Sequence, residues 1–277
     1  MVSQEQRRRQ LAREKFLRQQ QRRTESRRKA RVRNSAIASV LGVIVIGSVA
    51  LYTTHVLGGD DKKTDAGAKT KPSTSAQPSK APDPCQKPAA GSVKKLSWKK
   101  EPAMSIETSA KYTMDLSTTC GDIPIALKTS AAPHTVNSFD FLAGKGYFDH
   151  TKCHRLTTEG IFVLQCGDPQ GTGMGGPGYT LPDENLKDAG LKKNTYPAGT
   201  VAMANTGQKH TGGSQFFLVY KDSPLPPQYT PFGTISASGM KVLNKIAAAG
   251  AQPADPTSGN TAPNATVVIN KATVTKS

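Results

Sequence analysis

The sequence has few of the patterns on which metal and covalent catalysis depend. It contains four cysteines, and no two of them form a C-x-x-C pair, so their spacing does not indicate a zinc site. It has no H-E-x-x-H motif and no serine nucleophile elbow. Cys153 and His154 are neighbours, and neighbouring side chains of a strand point to opposite faces. We therefore expect no metal and no thiol–imidazole dyad.

One glycine-rich stretch, residues 171–176, satisfies the G-x-G-x-x-G pattern of dinucleotide-binding proteins. That function requires a helix directly after the pattern, within a βαβ unit. Pro177 and Gly178 follow instead, and no such unit surrounds them. The stretch therefore predicts a flexible surface loop, and we expect no cofactor.

The net charge of +17 suggests a nucleic-acid-binding protein, but its distribution argues against one. Residues 1–34 hold thirteen Arg and Lys against three Glu, whereas residues 101–277 hold fourteen Lys and Arg against thirteen Asp and Glu. The C-terminal part is nearly neutral, so no basic domain is available to coat a phosphate backbone. We predict a solvated basic tail over 1–34, with nucleic-acid binding by this tail as an alternative.

Residues 36–57 contain no Asp, Glu, Lys or Arg. At about 1.5 Å per residue they reach roughly 33 Å, enough for a hydrocarbon core of about 30 Å. The pattern predicts one transmembrane helix over 35–58, and the arginines before it place the N-terminus in the cytoplasm and the rest of the chain outside. A cleaved signal peptide is the alternative, because residues 48–50 resemble a cleavage site, although the apolar run continues to Leu57.

The next segment, residues 59–104, is rich in Gly, Lys, Pro, Ser, Thr and Ala. This composition is typical of a flexible, disordered linker. Cys85 is unusual in such a segment and suggests a covalent attachment to the folded domain, which we place at 105–277.

Residues 105–277 carry short apolar segments that predict a β-rich domain. Alternation over 112–116 and 123–127 is typical of a β-hairpin. Further strands are predicted over 152–157, 161–166, 200–204, 214–220, 232–235 and 266–275, and helices over 133–143 and 240–249. Eight short strands with two helices indicate a mainly-β fold, a closed antiparallel barrel.

Several stretches carry the functional signal: Cys153–Leu156 (CHRL), Phe162–Asp168 (FVLQCGD), Met203–Gly207 (MANTG) and Gly213–Phe217 (GSQFF). In this order they resemble the cyclophilin family, whose usual forms are F-H-R, G-F-x-x-Q-G-G-D, M-A-N-A-G and G-S-Q-F-F. The resemblance continues through Pro224-Leu225 and Tyr229–Gly233 and covers about residues 108–275. The sequence from Cys153 to Asp168 resembles that of the membrane-anchored extracytoplasmic cyclophilins of actinobacteria.

The resemblance implies an eight-stranded cyclophilin-like barrel with two capping helices and peptidyl-prolyl cis-trans isomerase activity. Its substrates would be proline-containing polypeptides, here exported or cell-surface proteins whose folding it assists. It implies no cofactor, and we expect a monomer held to the membrane by one helix.

The same resemblance assigns roles to individual residues. Arg155 would be the catalytic residue, because its guanidinium can donate hydrogen bonds to the twisted prolyl amide and stabilise it electrostatically. Leu164 and Phe216 would lie in the core. The remaining substrate-binding residues would be Phe162, Val163, Phe217 and Leu225 in a proline pocket, Gln165, Asn205 and Gln215 on the substrate backbone, Ala204 and Thr206 in the adjoining groove, and Tyr229.

The sequence departs from the family pattern at several of these positions. Leu225 or Pro224 replaces a tryptophan that is common in the family, Tyr229 replaces a common histidine, and Val163 replaces a common methionine. The departures argue against strong cyclosporin binding. They also motivate an alternative function, a non-catalytic proline-peptide-binding or chaperone module at the membrane surface.

The four cysteines allow three disulfide pairings. Because Cys153 and Cys166 flank the hairpin that would hold Arg155, we predict a Cys153–Cys166 disulfide. The remaining pair, Cys85–Cys120, would tie the linker to the first hairpin. Both fit an oxidising compartment.

Overall fold

The computed structural model describes residues 82–255 and 259–276, which belong to one compact unit, Ala76–Ser277. The predicted basic tail over 1–34 and the predicted membrane helix over 35–58 lie outside the described residues. Within the described part of the chain, no helix is long and apolar enough to cross a membrane.

The first hairpin forms where the sequence predicts it. Strands β1 (Tyr112–Thr118) and β2 (Gly121–Leu127) are antiparallel, with Met114 opposite Ile125. The alternate apolar residues of both strands are buried because successive side chains of a strand point to opposite faces. Gly121 allows the tight turn, since its φ of 127° is in a region that side chains disfavour.

Nine strands form one antiparallel sheet in the order β3-β11-β1-β2-β10-β7-β8-β5-β4, and β6 and β9 form a separate pair. The bounds of the other strands are β3 Thr151–Lys152, β4 Arg155–Leu156, β5 Val163–Cys166, β6 Thr195–Tyr196, β7 Thr200–Met203, β8 Phe216–Val219, β9 Ser223–Pro224, β10 Pro231–Ile235 and β11 Val268–Lys276.

The prediction of a closed eight-stranded barrel is wrong, because the sheet curls into a half-barrel whose edge strands, β3 and β4, do not pair with each other. They are consecutive parts of the predicted strand 152–157. The chain changes partners between them, since the N–H of Cys153 donates to Val267 at 3.0 Å and the N–H of His154 donates to Gln165 at 3.0 Å.

Two helices complete the fold, α1 (Pro133–Gly144) and α2 (Ala237–Ala248). A proline at its start and Glu184 from a distant loop define the beginning of α1; the carboxylate accepts from the N–H groups of His134 at 3.0 Å and Thr135 at 2.9 Å. Helix α2 begins three residues before its predicted start, because Ser236 caps it by accepting from the N–H of Gly239.

An aromatic cluster occupies the centre of the core. The ring of Phe139, from α1, lies 4.6 Å from Phe232, 5.3 Å from Phe148 and 5.5 Å from Phe216, and all four side chains are fully buried. Each buried ring contributes roughly 1.5–3 kcal/mol. The cluster therefore fixes β8, which carries part of the site, against the helix and β10.

Both predicted disulfides, Cys85–Cys120 and Cys153–Cys166, are present. The described part of the predicted flexible linker, residues 82–104, has no helix or strand. It is nevertheless held against the domain: besides the disulfide of Cys85, the ring of Trp98 packs edge-on against Phe141 at 5.0 Å. Its flexible-linker composition therefore does not prevent this segment from packing on the core.

Candidate active site

Four adjacent strands bring the predicted polar and apolar site residues into one row. Arg155 of β4 is opposite Gln165 of β5, Gln165 is opposite Phe217 of β8, and Phe217 is opposite Ala202 of β7. Directly opposed residues project from the same face of a sheet. The alternate residues, Leu164 and Phe216, are buried in the main core as predicted.

A series of hydrogen bonds links Arg155 to a loop on the far side of the site. Its Nη1 donates to Gln165 Oε1 at 3.1 Å, Gln165 Nε2 donates to Gln215 Oε1 at 2.8 Å, and Gln215 Nε2 donates to the carbonyl of Gly175 at 2.8 Å. A guanidinium can only donate and a carbonyl can only accept, so the two ends determine the orientation of both glutamine amides. We call this series the Arg155–Gly175 relay.

The row lies against a cavity of about 430 Å³. Its apolar wall includes Val163, Phe217, Leu225 and Tyr229, and its polar edge includes Arg155; the resemblance assigns all five to the site. The complete lining is Arg155, Ile161, Val163, Gln165, Thr172, Gly173, Met174, Ala204, Asn205, Phe217, Leu225, Tyr229 and Asn260.

A second cavity, of about 550 Å³, adjoins the first and shares Gln165, Gly173, Met174, Ala204 and Asn205 with it. Thr206 and Gln215 line this second cavity and not the first. Residues 173–180 form one wall of it. The two cavities therefore make a continuous groove. Aliphatic and aromatic side chains line much of one end, and glycines and hydroxyl-bearing residues line much of the other.

The family assignment rests on the same part of the chain. A family model described as cyclophilin type peptidyl-prolyl cis-trans isomerase/CLD matches residues 113–274, which include Arg155 and the residues opposite it. The chain belongs to the cyclophilin family.

Named relatives agree with this assignment. The probable peptidyl-prolyl cis-trans isomerase B of Mycobacterium leprae (strain TN) is 51% identical over 149 residues, which are 51% of this chain and 50% of that protein. Its counterpart from Mycobacterium tuberculosis (strain ATCC 25618 / H37Rv) is 50% identical over 149 residues, 51% of this chain and 48% of that protein. Peptidyl-prolyl cis-trans isomerase B of Bacillus subtilis (strain 168) is 42% identical over 125 residues, 45% of this chain and 82% of that protein. This cyclophilin spans about half the length of the two mycobacterial relatives.

Tyr196 supports the apolar wall of the first cavity, although no pattern in the sequence indicates this role. Its hydroxyl donates to the carbonyl of Tyr229 at 2.7 Å and accepts from the N–H of Tyr229 at 3.1 Å. Burial raises the pKa of Tyr196 to about 12, so the hydroxyl stays protonated and keeps donating. The Tyr229 ring is thereby held 5.5 Å from the ring of Phe217, edge to face.

Leu225 reaches the same wall through the small β6–β9 sheet. Thr195 pairs with Pro224, and the N–H of Leu225 donates to the carbonyl of Asn194 at 2.9 Å. The sheet places an aliphatic side chain in the cavity. The wall is therefore apolar but has no indole N–H donor.

Phe162, which the resemblance assigns to the proline pocket, is not among the residues that line the first cavity, whereas Ile161 is. Val163 and Gln165 face the cavity, so Phe162 points to the other side of the chain. There its ring lies 5.8 Å from the ring of Tyr220, and Lys221 Nζ lies 4.6 Å above it.

The Asn205 side chain bonds to its own loop and to the loop that contains Gln228. Its Nδ2 donates to the carbonyl of Gln228 at 2.8 Å, and its Oδ1 accepts from the N–H of Gly207 at 2.9 Å. Thr206 next to it is exposed, with its hydroxyl 3.0 Å from that of Thr211. The Asn205 amide thus holds the rim of both cavities in place.

Asp168 organises the glycine-rich loop that the sequence predicts to be a flexible surface segment. Its buried carboxylate accepts from the N–H groups of Gln170 at 2.7 Å, Thr172 at 2.9 Å and Gly173 at 2.6 Å. Burial alone would raise the pKa of Asp168, but these bonds and one from Gly175 favour the charged form and lower the pKa below 3.8. A Cβ on Gly175 would lie 2.0 Å from Asp168 Oδ1, so only glycine fits there.

His154 lies beneath this loop with a buried ring, and neither ring nitrogen has a hydrogen-bond partner among the residues the structure describes. Burial lowers the pKa of His154 below 6.5; Asp168 opposes this effect and Arg155 adds to it. Cys153 is bonded to Cys166 and has no free thiol, and the described residues contain no group of three metal-ligating side chains.

Proposed function

We propose that the domain is a peptidyl-prolyl cis-trans isomerase in which Arg155 stabilises the twisted amide. The observation that carries the proposal is the position of the guanidinium. It is half-buried at the edge of a cavity that has one apolar wall, and it is oriented there by Gln165. One acceptor cannot occupy its five N–H donors, so donors remain for a substrate.

The reaction suits such a site. Rotation about an X–Pro bond is opposed by amide resonance, with a barrier of about 18–20 kcal/mol, and no bond has to be broken. When the amide twists, conjugation is lost and the lone pair returns to the prolyl nitrogen. A hydrogen bond from Arg155 to that nitrogen would be strongest in the twisted state, and interactions of this kind accelerate a reaction.

The groove supplies the binding elements. The proline ring would occupy the first cavity, against the apolar wall formed by Val163, Phe217, Leu225 and Tyr229. Neighbouring substrate residues would lie along the second cavity, where Gln215 and backbone groups can hydrogen-bond to an extended chain. A cavity of about 430 Å³ is within the usual size range for small-ligand sites.

A refolding assay limited by proline isomerisation, or an equivalent peptide assay, tests the proposal. The wild-type chain should accelerate the reaction, and Arg155→Ala should remove most of that acceleration. Binding of proline peptides without any acceleration by the wild type would instead support the alternative, a non-catalytic proline-binding or chaperone module.

We further propose that the domain acts outside the cytoplasm on exported polypeptides, held by the predicted helix over 35–58. The two disulfides support this proposal because disulfides persist mainly in oxidising compartments. Protease treatment of intact cells tests it: the domain should be cleaved off while a tag on residues 1–34 stays protected. Protection of the domain would contradict the proposal.

A further inference from the structure

Residues 82–104, which precede the region matched by the family model, run along the domain as a strap; we call them the N-terminal strap. The strap is attached at several points along its length. These attachments are the Cys85–Cys120 disulfide, the N–H of Gln86 on the carbonyl of Thr119 at 2.8 Å, the N–H of Ala89 on Asn270 Oδ1 at 3.0 Å and Lys94 Nζ on the carbonyl of Lys145 at 3.0 Å.

Near its end the strap contacts the wall of the second cavity directly. The N–H of Trp98 donates to the carbonyl of Pro177 at 2.8 Å, and Pro177 and Gly178 both line that cavity. A Cβ on Gly178 would lie 2.3 Å from Ser97 Oγ and 2.5 Å from the carbonyl oxygen of Trp98. The strap and the wall are therefore packed so closely that only glycine fits between them, and its φ of 91° also favours glycine.

The indole ring of Trp98 is also connected to the same cavity, through a second series of contacts. It lies 5.0 Å from the ring of Phe141 and 6.0 Å from that of Tyr147, which is fully buried. The hydroxyl of Tyr147 is 3.0 Å from Ser214 Oγ, and Ser214 lines the second cavity. Through Tyr147 and Ser214, the ring is thus connected to a second part of the lining of that cavity.

The backbone contact of Trp98 and the contacts of its ring both lead to neighbours of Gln215. Gly175, whose carbonyl accepts from Gln215 Nε2, precedes Pro177 by two residues, and Ser214 directly precedes Gln215. Gln215 is the third of the four members of the Arg155–Gly175 relay. We propose that Trp98 is a positioning residue, through which the strap sets the width of the second cavity and so the preference for the substrate residues next to proline. This inference rests on the proposed isomerase function.

The chain has one tryptophan, so its selectively excited fluorescence reports on Trp98 alone. A saturating proline peptide that contains no tryptophan should change the emission of the full wild-type chain, because the wall it contacts is tied to Trp98. This measurement needs no variant and cannot be confused with misfolding. Unchanged emission at saturation would overturn the inference.

Kinetics of full-chain variants give the second test, with peptides that differ in the residue before proline. Trp98→Ala should raise KM about three- to tenfold and change the order of preference among the peptides, with kcat within about twofold of wild type. Trp98→Phe, which keeps an aromatic ring against Tyr147, should restore most of both. Lys94→Ala, a strap variant whose contact is with the carbonyl of Lys145 and not with the cavity wall, serves as the matched control and should behave as wild type.

The outcomes separate this inference from the function on which it rests. Wild-type KM and unchanged preferences in Trp98→Ala, alongside an inactive Arg155→Ala, would overturn the role of Trp98 and leave the isomerase function intact. Equal rates for the wild type and Arg155→Ala would overturn the isomerase function itself.

Discussion

Arg155 and Gln165 face each other across the β4–β5 pair and are joined by a hydrogen bond of 3.1 Å from Nη1 to Oε1. Because Gln165 also donates to Gln215, the acceptor of the guanidinium is itself held by the next strand and its loop. In this series the guanidinium is therefore oriented by the side-chain amides of two glutamines, and no carboxylate takes part.

Gln165→Glu tests whether this amide orientation matters. A carboxylate would still accept from Arg155, but it could not donate to Gln215 Oε1, so the Gln215 amide would have to turn and lose the carbonyl of Gly175. We expect kcat/KM to fall roughly tenfold, the cost of about one lost hydrogen bond, while the melting temperature changes little. Wild-type kcat/KM in this variant would show that the relay is not needed.

The two disulfides should differ in their effects on catalysis. They close loops with separations of 13 and 35 residues, so removing Cys153–Cys166 or Cys85–Cys120 by paired Cys→Ala changes should lower the free energy of unfolding by about 3 and 4 kcal/mol respectively. Only the first pair flanks Arg155 and Gln165. We expect kcat to fall in the Cys153/Cys166 variant and to persist in the Cys85/Cys120 variant, which serves as its control; the reverse order would contradict this view of the hairpin.

Asp168 should contribute to stability in a pH-dependent way. Its pKa in the folded state is below 3.8, so the unfolded state binds more protons in the window between that pKa and 3.8. The contribution is present above this window and is lost as the pH falls through it. Urea unfolding should show that Asp168→Asn costs about 1–3 kcal/mol at pH 7 and distinctly less at about pH 3. An equal cost at both pH values would argue against the buried carboxylate as the cause.

His154 should act in a higher pH window. Its pKa in the folded state is below 6.5, so between that pKa and 6.5 the unfolded state binds the additional proton, and stability falls as the pH falls through this range. His154→Leu removes the titrating ring and two buried nitrogens without partners. We expect the free energy of unfolding to fall less between pH 7 and pH 5 in the variant than in the wild type. If it falls by the same amount in both proteins, another group carries the effect.

Much of the fold could be predicted because its elements are long or strongly patterned. The alternation from Tyr112 to Leu127 predicts the first hairpin, and the apolar stripes predict both helices. The strand predicted over 152–157 is divided in the structure, since its partners change at Cys153 and His154. That change depends on where β11 and β5 lie in the folded domain, and a local sequence pattern does not indicate their positions.

The site was predictable as a set of residues but not as a network. Family motifs identify Arg155 and Gln165, yet the bond from Gln215 to Gly175 depends on how the loop folds around Asp168. Residues two apart on a strand share a face, so the alternation of side chains places Ile161 on the same side as Val163 and Phe162 on the other. The family motif instead assigns Phe162 to the pocket, and the prediction follows the motif. The β6–β9 pair that delivers Leu225 has only two residues in each strand, too few for a periodic signal.

The central claim is that Arg155 acts on the twisted amide and contributes little to ground-state binding. The most direct test measures the exchange rate of a pre-equilibrated proline peptide and its dissociation constant, on the wild type and on Arg155→Ala. The account predicts a loss of about 100- to 1,000-fold in the catalysed exchange rate, with a dissociation constant within about threefold of wild type. A similar exchange rate in both proteins, or a loss explained wholly by weaker binding, would contradict it.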